Sequence, residues 1–310
     1  METVFGIGIG IIGFTGLIVF FLLRGFRNPV RSHQQFPSQF GVPFQEIRFL
    51  TKNGRHLYGW WIPSKSPESP PAPLIVLVHG WGQNAGLWLP LIPHLHRAGF
   101  HLLAFDSRSH GNSDADGYST MVKFAEDAQA AIRYARSQFG EHIHWIGLLG
   151  FSIGAAATIL ATSREPDVLR AAAIGAFSHP GHIMRQGFRE KHIPYFPLVW
   201  LLFKYIEWRI GARLDDIAPM NNIAKIHAEL LLIHGKHDHV VAPEHATILF
   251  QRANPETTHL TLVDGCQHSN CLQSETLPPL IVNFFQSGLQ KMKLLDTPIS
   301  LNPAKPIEKD

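Results

Sequence analysis

The chain has 310 residues, 45% hydrophobic and 16% charged, with a net charge of +3. That apolar content excludes a disordered chain, and dispersed basic residues at so small a net charge exclude a nucleic-acid surface. The two cysteines, Cys266 and Cys271, exclude a disulfide framework and fit a reducing compartment or simple burial.

Val4 to Leu23 is an uncharged run of twenty positions rich in Ile, Phe, Leu and Gly, the length that crosses a hydrocarbon core as a helix. Its five glycines disfavour a soluble helix and are better tolerated in lipid. No basic segment precedes the run and no small-residue cleavage site follows it, which argues against a signal peptide. Arg24, Arg27 and Arg31 follow it, so the positive-inside rule puts the bulk of the chain in the cytoplasm. The expectation is a single-pass anchor with its basic flank over residues 1–27 and a polar linker over 28–43.

Two alternating runs, Phe44–Leu50 and His56–Ile62, flank Asn53-Gly54, a strong hairpin signal. Pro63 to Pro73 holds five prolines and reads as a solvated loop. Leu74–Val78 is a wholly apolar strand of the kind buried on both faces of a parallel sheet. A helix over about 87–98, a strand over 100–105 and a helix over about 121–138 follow. Next come strands at 145–149 and 171–177, then an insertion from Ser178 to Ile226 that breaks the strand–helix rhythm. Strands at 229–233 and 259–263 enclose a helix near 243–252, and a last helix covers about 277–291. The pattern predicts an α/β fold: an eight-stranded, mostly parallel, doubly wound sheet over 44–291, with a helical lid at about 178–226 and a flexible tail at 292–310.

Gly150-Phe-Ser152-Ile-Gly154 joins an apolar strand to an Ala-rich helix. A G-x-S-x-G pattern in that setting implies a sharp turn with the Ser152 hydroxyl exposed and its backbone strained. The five residues alone are a weak signal; the strand before and the helix after give them weight. A serine needs a base, and the base an orienting carboxylate. In such sheets these lie in loops just after strands. Asp238 follows the strand ending at Ile233, and His268 follows the one ending at Val263. The order Ser152, Asp238, His268 fits this turn type. Asp264 competes as the acid, and His234, His237 and His239 as the base, but each lies too near its partner in sequence to separate the roles. Oxyanion donors are expected from the backbone N–H of Ile153 and of Trp81, within His79-Gly-Trp-Gly82. His79 reads as a brace for that loop.

These motifs, with Asp106-Ser-Arg-Ser-His-Gly-Asn-Ser113, Gly235-Lys-His-Asp238 and Gly265-Cys-Gln-His268, resemble the α/β-hydrolase superfamily over nearly all of 44–291. Within it the arrangement is most similar to the serine-aminopeptidase-like and Bem46-like branch, which includes membrane-anchored members. The resemblance implies an esterase, thioesterase, lipase or peptidase that needs no cofactor. Ser109 stands where relatives usually carry Gly, a departure that touches a loop turn and not the chemistry.

His-x-His pairs at 94/96, 142/144 and 237/239 lack Cys or carboxylate partners at ligand spacing, so no metal is expected. The insertion contains Ile193–Phe203, strongly apolar, with Trp200 and Phe203 as candidate substrate-binding residues of a lid over Ser152. The expected function is hydrolysis of ester or thioester bonds in small-molecule or lipid-like apolar acyl substrates. The alternatives are an aminopeptidase or amidase, and a non-catalytic scaffold on the same fold.

Overall fold

The computed structural model describes residues 31–64 and 71–292. Eight strands form one sheet: β1 Gln45–Leu50, β2 His56–Ile62, β3 Ala72–Val78, β4 His101–Phe105, β5 Ile143–Phe151, β6 Val168–Ile174, β7 Glu229–Gly235 and β8 Thr258–Val263. Their spatial order is β1-β2-β4-β3-β5-β6-β7-β8. β2 pairs antiparallel with β1 and β4, and the remaining pairings are parallel. This is the eight-stranded, mostly parallel, doubly wound sheet that the alternation of apolar runs predicts.

Both faces of the sheet are covered, and alternate residues of β3 show how. Leu74, Val76 and Val78 pack with Phe124 and Ala128 of α2 (Met121–Phe139) and with Leu160 of α3 (Ile153–Thr162). Ile75 and Leu77 belong to the opposite layer, with Leu95 of α1 (Ile92–Arg97) and Phe284 of α9 (Leu277–Met292). A strand buried on both sides gains nothing from polar alternation, so the central runs are continuously apolar.

The Asn53-Gly54 hairpin forms with both residues at positive φ (59° and 62°), the turn geometry that this dipeptide favours. Two elements differ from expectation. The helix over 87–98 is split into a 3₁₀ turn at Ala85–Trp88 and α1, because Pro90 and Pro93 cannot donate the bonds that would join them. The strand expected at 171–177 is β6, three residues earlier. Its ladder with β7 runs from Arg170↔Glu229 to Ile174↔Ile233, and Gly175, at φ 65°, then turns the chain out of the sheet.

The insertion comprises α4 (Pro180–Glu190), a turn at Tyr195–Val199, α5 (Trp200–Ile210), α6 (Leu214–Ile217) and α7 (Pro219–Asn222). α8 (Glu244–Arg252) lies between β7 and β8. The stretch expected to be a linker, 28–43, is packed on the domain over its described part. Val42 is buried, and Phe36 and Phe44 place their rings 5.9 and 5.8 Å from that of Trp60. Those apolar rings cannot remain in water without cost, and the edge of the sheet offers them cover. The expected membrane span and the tail from 293 onward lie outside the described residues. Among the described residues, no helix is long and apolar enough to cross a membrane.

Candidate active site

Ser152 sits between β5 and α3 with φ 56° and ψ −121°, a conformation that costs an L-residue of order 1–3 kcal/mol. Close packing holds it there. The Ser152 N–H donates to the Ile174 carbonyl at 2.8 Å, extending the β5–β6 ladder past the turn. A Cβ on Gly150 would strike the Gly154 carbonyl and the Thr158 hydroxyl, and one on Gly154 would strike the Val78 and His79 carbonyls. The two glycines therefore let α3 start directly against β3.

The Ser152 Oγ lies 2.9 Å from His268 Nε2, and His268 Nδ1 lies 2.6 Å from Asp238 Oδ2. Asp238 is buried, and its Oδ1 accepts the backbone N–H groups of Val240 (2.9 Å) and Val241 (2.8 Å). Burial alone would raise its pKa. The hydrogen bond from His268 and that from Val241 outweigh it and hold the carboxyl below its ordinary value. An ionised Asp238 can only accept, so the proton between them sits on Nδ1 and leaves Nε2 free to accept from Ser152. Gly175, which the sequence reading did not single out, lies beside the imidazole, and its φ of 65° is a backbone conformation that L side chains rarely adopt.

The competing groups have other partners. Asp264 is exposed and pairs with Lys236 at 2.7 Å. His234 donates from Nε2 to the Val241 carbonyl at 2.7 Å, bracing the acid loop, while His237 and His239 are exposed.

The loop after β3 holds Trp81 beside the serine turn, with a Cβ on Gly80 only 3.1 Å from the Phe151 ring. Among the described residues, neither the Trp81 nor the Ile153 backbone N–H has a hydrogen-bond acceptor. Ile153 is also the first residue of α3, where helical N–H groups lack partners and the helix dipole favours negative charge. Two neutral histidines brace the loop. His79 donates from Nδ1 to Gly80 O (2.7 Å) and accepts the Ser107 N–H at Nε2 (2.9 Å); its full burial lowers its pKa to about 3. His110 accepts the Gly82 N–H at Nε2 (3.1 Å) and donates from Nδ1 to Arg108 O. The bracing role of His110 depends on a fold-level contact with Gly82, twenty-eight residues away, and carries no local sequence signal.

Trp200 and Phe203 are placed elsewhere. With Tyr195, Arg185 and Arg252 they line a cavity of about 590 Å³ between the insertion and α8, which Ser152, Asp238 and His268 do not line. Phe203 is buried in the core layer that the insertion shares with α2 and α3, its ring 6.0 Å from that of Tyr195. Cys266 and Cys271 are buried free thiols. Among the described residues, no group of three or more His, Cys, Asp or Glu is arranged to hold a metal ion.

Comparison with known proteins agrees with this architecture. A family model described as the alpha/beta hydrolase fold matches residues 73–191. The uncharacterized protein YfhR of Escherichia coli O157:H7 is 28% identical over 252 residues, covering 79% of this chain and 81% of YfhR. The uncharacterized protein Rv2307c of Mycobacterium tuberculosis is 28% identical over 250 residues, 76% of this chain and 79% of that one. Among solved structures, the esterase Pf2001 of Pyrococcus furiosus has a TM-score of 0.67 at 22% identity, over 86% of this chain and 98% of the esterase. The family match over residues 73–191 and the structural likeness both show that the chain has the α/β-hydrolase fold.

Proposed function

We propose that the protein is a serine hydrolase that cleaves carboxylic ester or thioester bonds through Ser152, His268 and Asp238. The observation that carries this reading is the unbroken relay from Asp238 Oδ2 to His268 Nδ1 and from His268 Nε2 to Ser152 Oγ. His268 takes the Ser152 proton as Oγ attacks the acyl carbonyl, and Asp238 stabilises the imidazolium. The oxyanion forms beside the N–H groups of Trp81 and Ile153. His268 then returns the proton to the leaving group, leaving an acyl-enzyme. A water molecule, deprotonated by the same imidazole, releases the acid and restores the serine. We further propose that the run at residues 4–23 tethers the domain to a membrane, its basic flank on the cytoplasmic side.

An amine-recognising peptidase would need a carboxylate free to meet the substrate's amino-terminus. Three of the four carboxylates of the insertion have partners: Glu207 bonds Lys204 and the Leu214 N–H, Asp215 bonds His179, and Glu190 accepts from Gln186, which favours the ester reading.

The test is fluorophosphonate labelling of the wild type and of Ser152→Ala, followed by turnover of p-nitrophenyl esters of increasing chain length. Labelling should vanish in Ser152→Ala, and Asp238→Asn should lower kcat by roughly 10⁴-fold. A folded wild type that does not label would overturn the proposal in favour of a non-catalytic scaffold.

A further inference from the structure

The insertion presents an apolar surface that nothing in the described chain covers. Phe196 and Trp208 are 71% and 74% exposed, and Trp200, Leu201 and Tyr205 are exposed beside them. On α5, positions 200, 201, 205 and 208 fall on one face of the helix, while Leu202 and Phe203 are buried on the other. The rings are grouped: Phe196 lies 6.1 Å from Trp200, and Tyr205 lies 5.9 Å from Trp208. The surrounding segment, residues 180–213, carries six Lys or Arg against two Glu. Trp and Tyr rings among basic side chains are the composition of a helix that lies in a lipid interface.

The path of the chain places this face. Asn84 donates to the Arg31 carbonyl at 2.9 Å, and His33 Nε2 lies 2.8 Å from Asp106 Oδ2. Both contacts are in loops that leave the carboxyl ends of β3 and β4, so the chain enters the domain on that side of the sheet. α5 spans the same side: the Arg209 guanidinium lies 5.2 Å from the Tyr118 ring, in the loop after β4. Seven residues separate Leu23 from Arg31, a reach of at most about 29 Å. If the run at 4–23 is in a bilayer, the domain is held close to it on the side where α5 exposes its rings.

We infer that the face formed by Phe196, Trp200, Leu201, Tyr205 and Trp208 docks on the surface of an anionic lipid bilayer. It thereby presents the carboxyl-end side of the sheet, with Ser152, to lipid-embedded substrate. The inference rests on the membrane tether proposed above. The rings enter the acyl boundary, and the excess of basic side chains in the segment faces the headgroup phosphates.

The test uses the full-length chain in nanodiscs of equal parts phosphatidylcholine and phosphatidylglycerol, with or without bromine on the acyl chains. Residues 1–30 contain no Trp, and Trp60, Trp61 and Trp88 are buried, so bromine quenching reads the domain and not the tether, and the Trp208→Phe comparison separates the exposed face from the half-buried Trp81 and Trp145. Wild-type fluorescence should be quenched, and Trp208→Phe should lose much of that quenching. In the Phe196→Glu, Trp208→Glu double variant, turnover of a short soluble ester should be unchanged, while turnover of a vesicle-embedded ester falls several-fold. No quenching in the wild type, or equal quenching in Trp208→Phe, overturns the inference. So does absence of quenching with two chains paired in each disc, which would assign the face to a second copy. Quenching without fluorophosphonate labelling would leave the docking intact and remove the hydrolase reading.

Discussion

Ser152 and Ser109 both hold positive φ without being glycine, at 56° and 64°, and their surroundings show what each strain accomplishes. At Ser109, where relatives usually carry Gly, the hydroxyl donates to Gly117 O (3.0 Å) and accepts the Asp116 N–H (2.9 Å). Those bonds offset the backbone strain, which is why a side chain is tolerated there. At Ser152 the strain projects Oγ toward His268, and it is sustained by glycines on either side. Gly154→Ala tests this. Its methyl would push into the Val78 and His79 carbonyls, so the variant should lose about 1–3 kcal/mol in urea unfolding and label more slowly with fluorophosphonate. An unchanged midpoint and labelling rate would mean that α3 can shift freely against β3.

At the scale of elements, the candidate site is assembled by loops that tie neighbouring strands together. The Asp106 carboxylate, fully buried, accepts from the N–H groups of Ala85 and Asn112 and bonds His33, joining the loops after β3 and β4 to the chain's entry segment. Arg108 does similar service toward α2, reaching Asp127 at 2.7 Å and Glu126 at 2.6 Å. The segment before β1 is thus part of the support for the Trp81 loop. His33→Ala should lower stability by about 1–3 kcal/mol, because Asp106 loses a buried partner. His33→Gln should retain much of it, since the amide nitrogen can reach the same carboxylate. Thermal melting of both variants checks this; equal losses would show that ring packing against Trp60 matters and the hydrogen bond does not.

Across the whole molecule, burial keeps an unusual number of histidines neutral. His79, His101, His110, His179, His182, His234 and His245 all have pKa values below the ordinary 6.5, each chiefly through loss of solvent, with His79 near 3 and His182 and His245 near 4. Below pH 6.5 the unfolded chain takes up these protons while the folded chain does not, so acid favours unfolding. The stability is complete above pH 6.5 and is lost as pH falls through the folded values. For fully buried His79 the loss is about 1.4 kcal/mol per pH unit down to about pH 3. Asp238, held below its ordinary 3.8, adds a loss in the same direction at lower pH still. Urea midpoints should therefore fall steeply between pH 6.5 and pH 4. A flat profile over that interval would mean that water reaches these imidazoles.

The sequence alone determined the sheet and the chemical parts of the candidate site. Apolar runs of strand length, a glycine-flanked serine and strand-end acidic and imidazole residues are local signals, because each reports what its own neighbours in the chain require. The order of Ser152, Asp238 and His268 along the chain could be read before any coordinates. Contacts across the fold were decided only by tertiary structure. Gly175 lying beside the His268 ring, His110 holding Gly82, and His33 reaching Asp106 seventy-three residues away all depend on how strands pair and loops meet. The same is true of Trp200 and Phe203, which the apolar pattern of the insertion suggested for a wall over Ser152. Periodicity reveals that a helix has an apolar face, but the turn preceding α5 decides which neighbour that face meets.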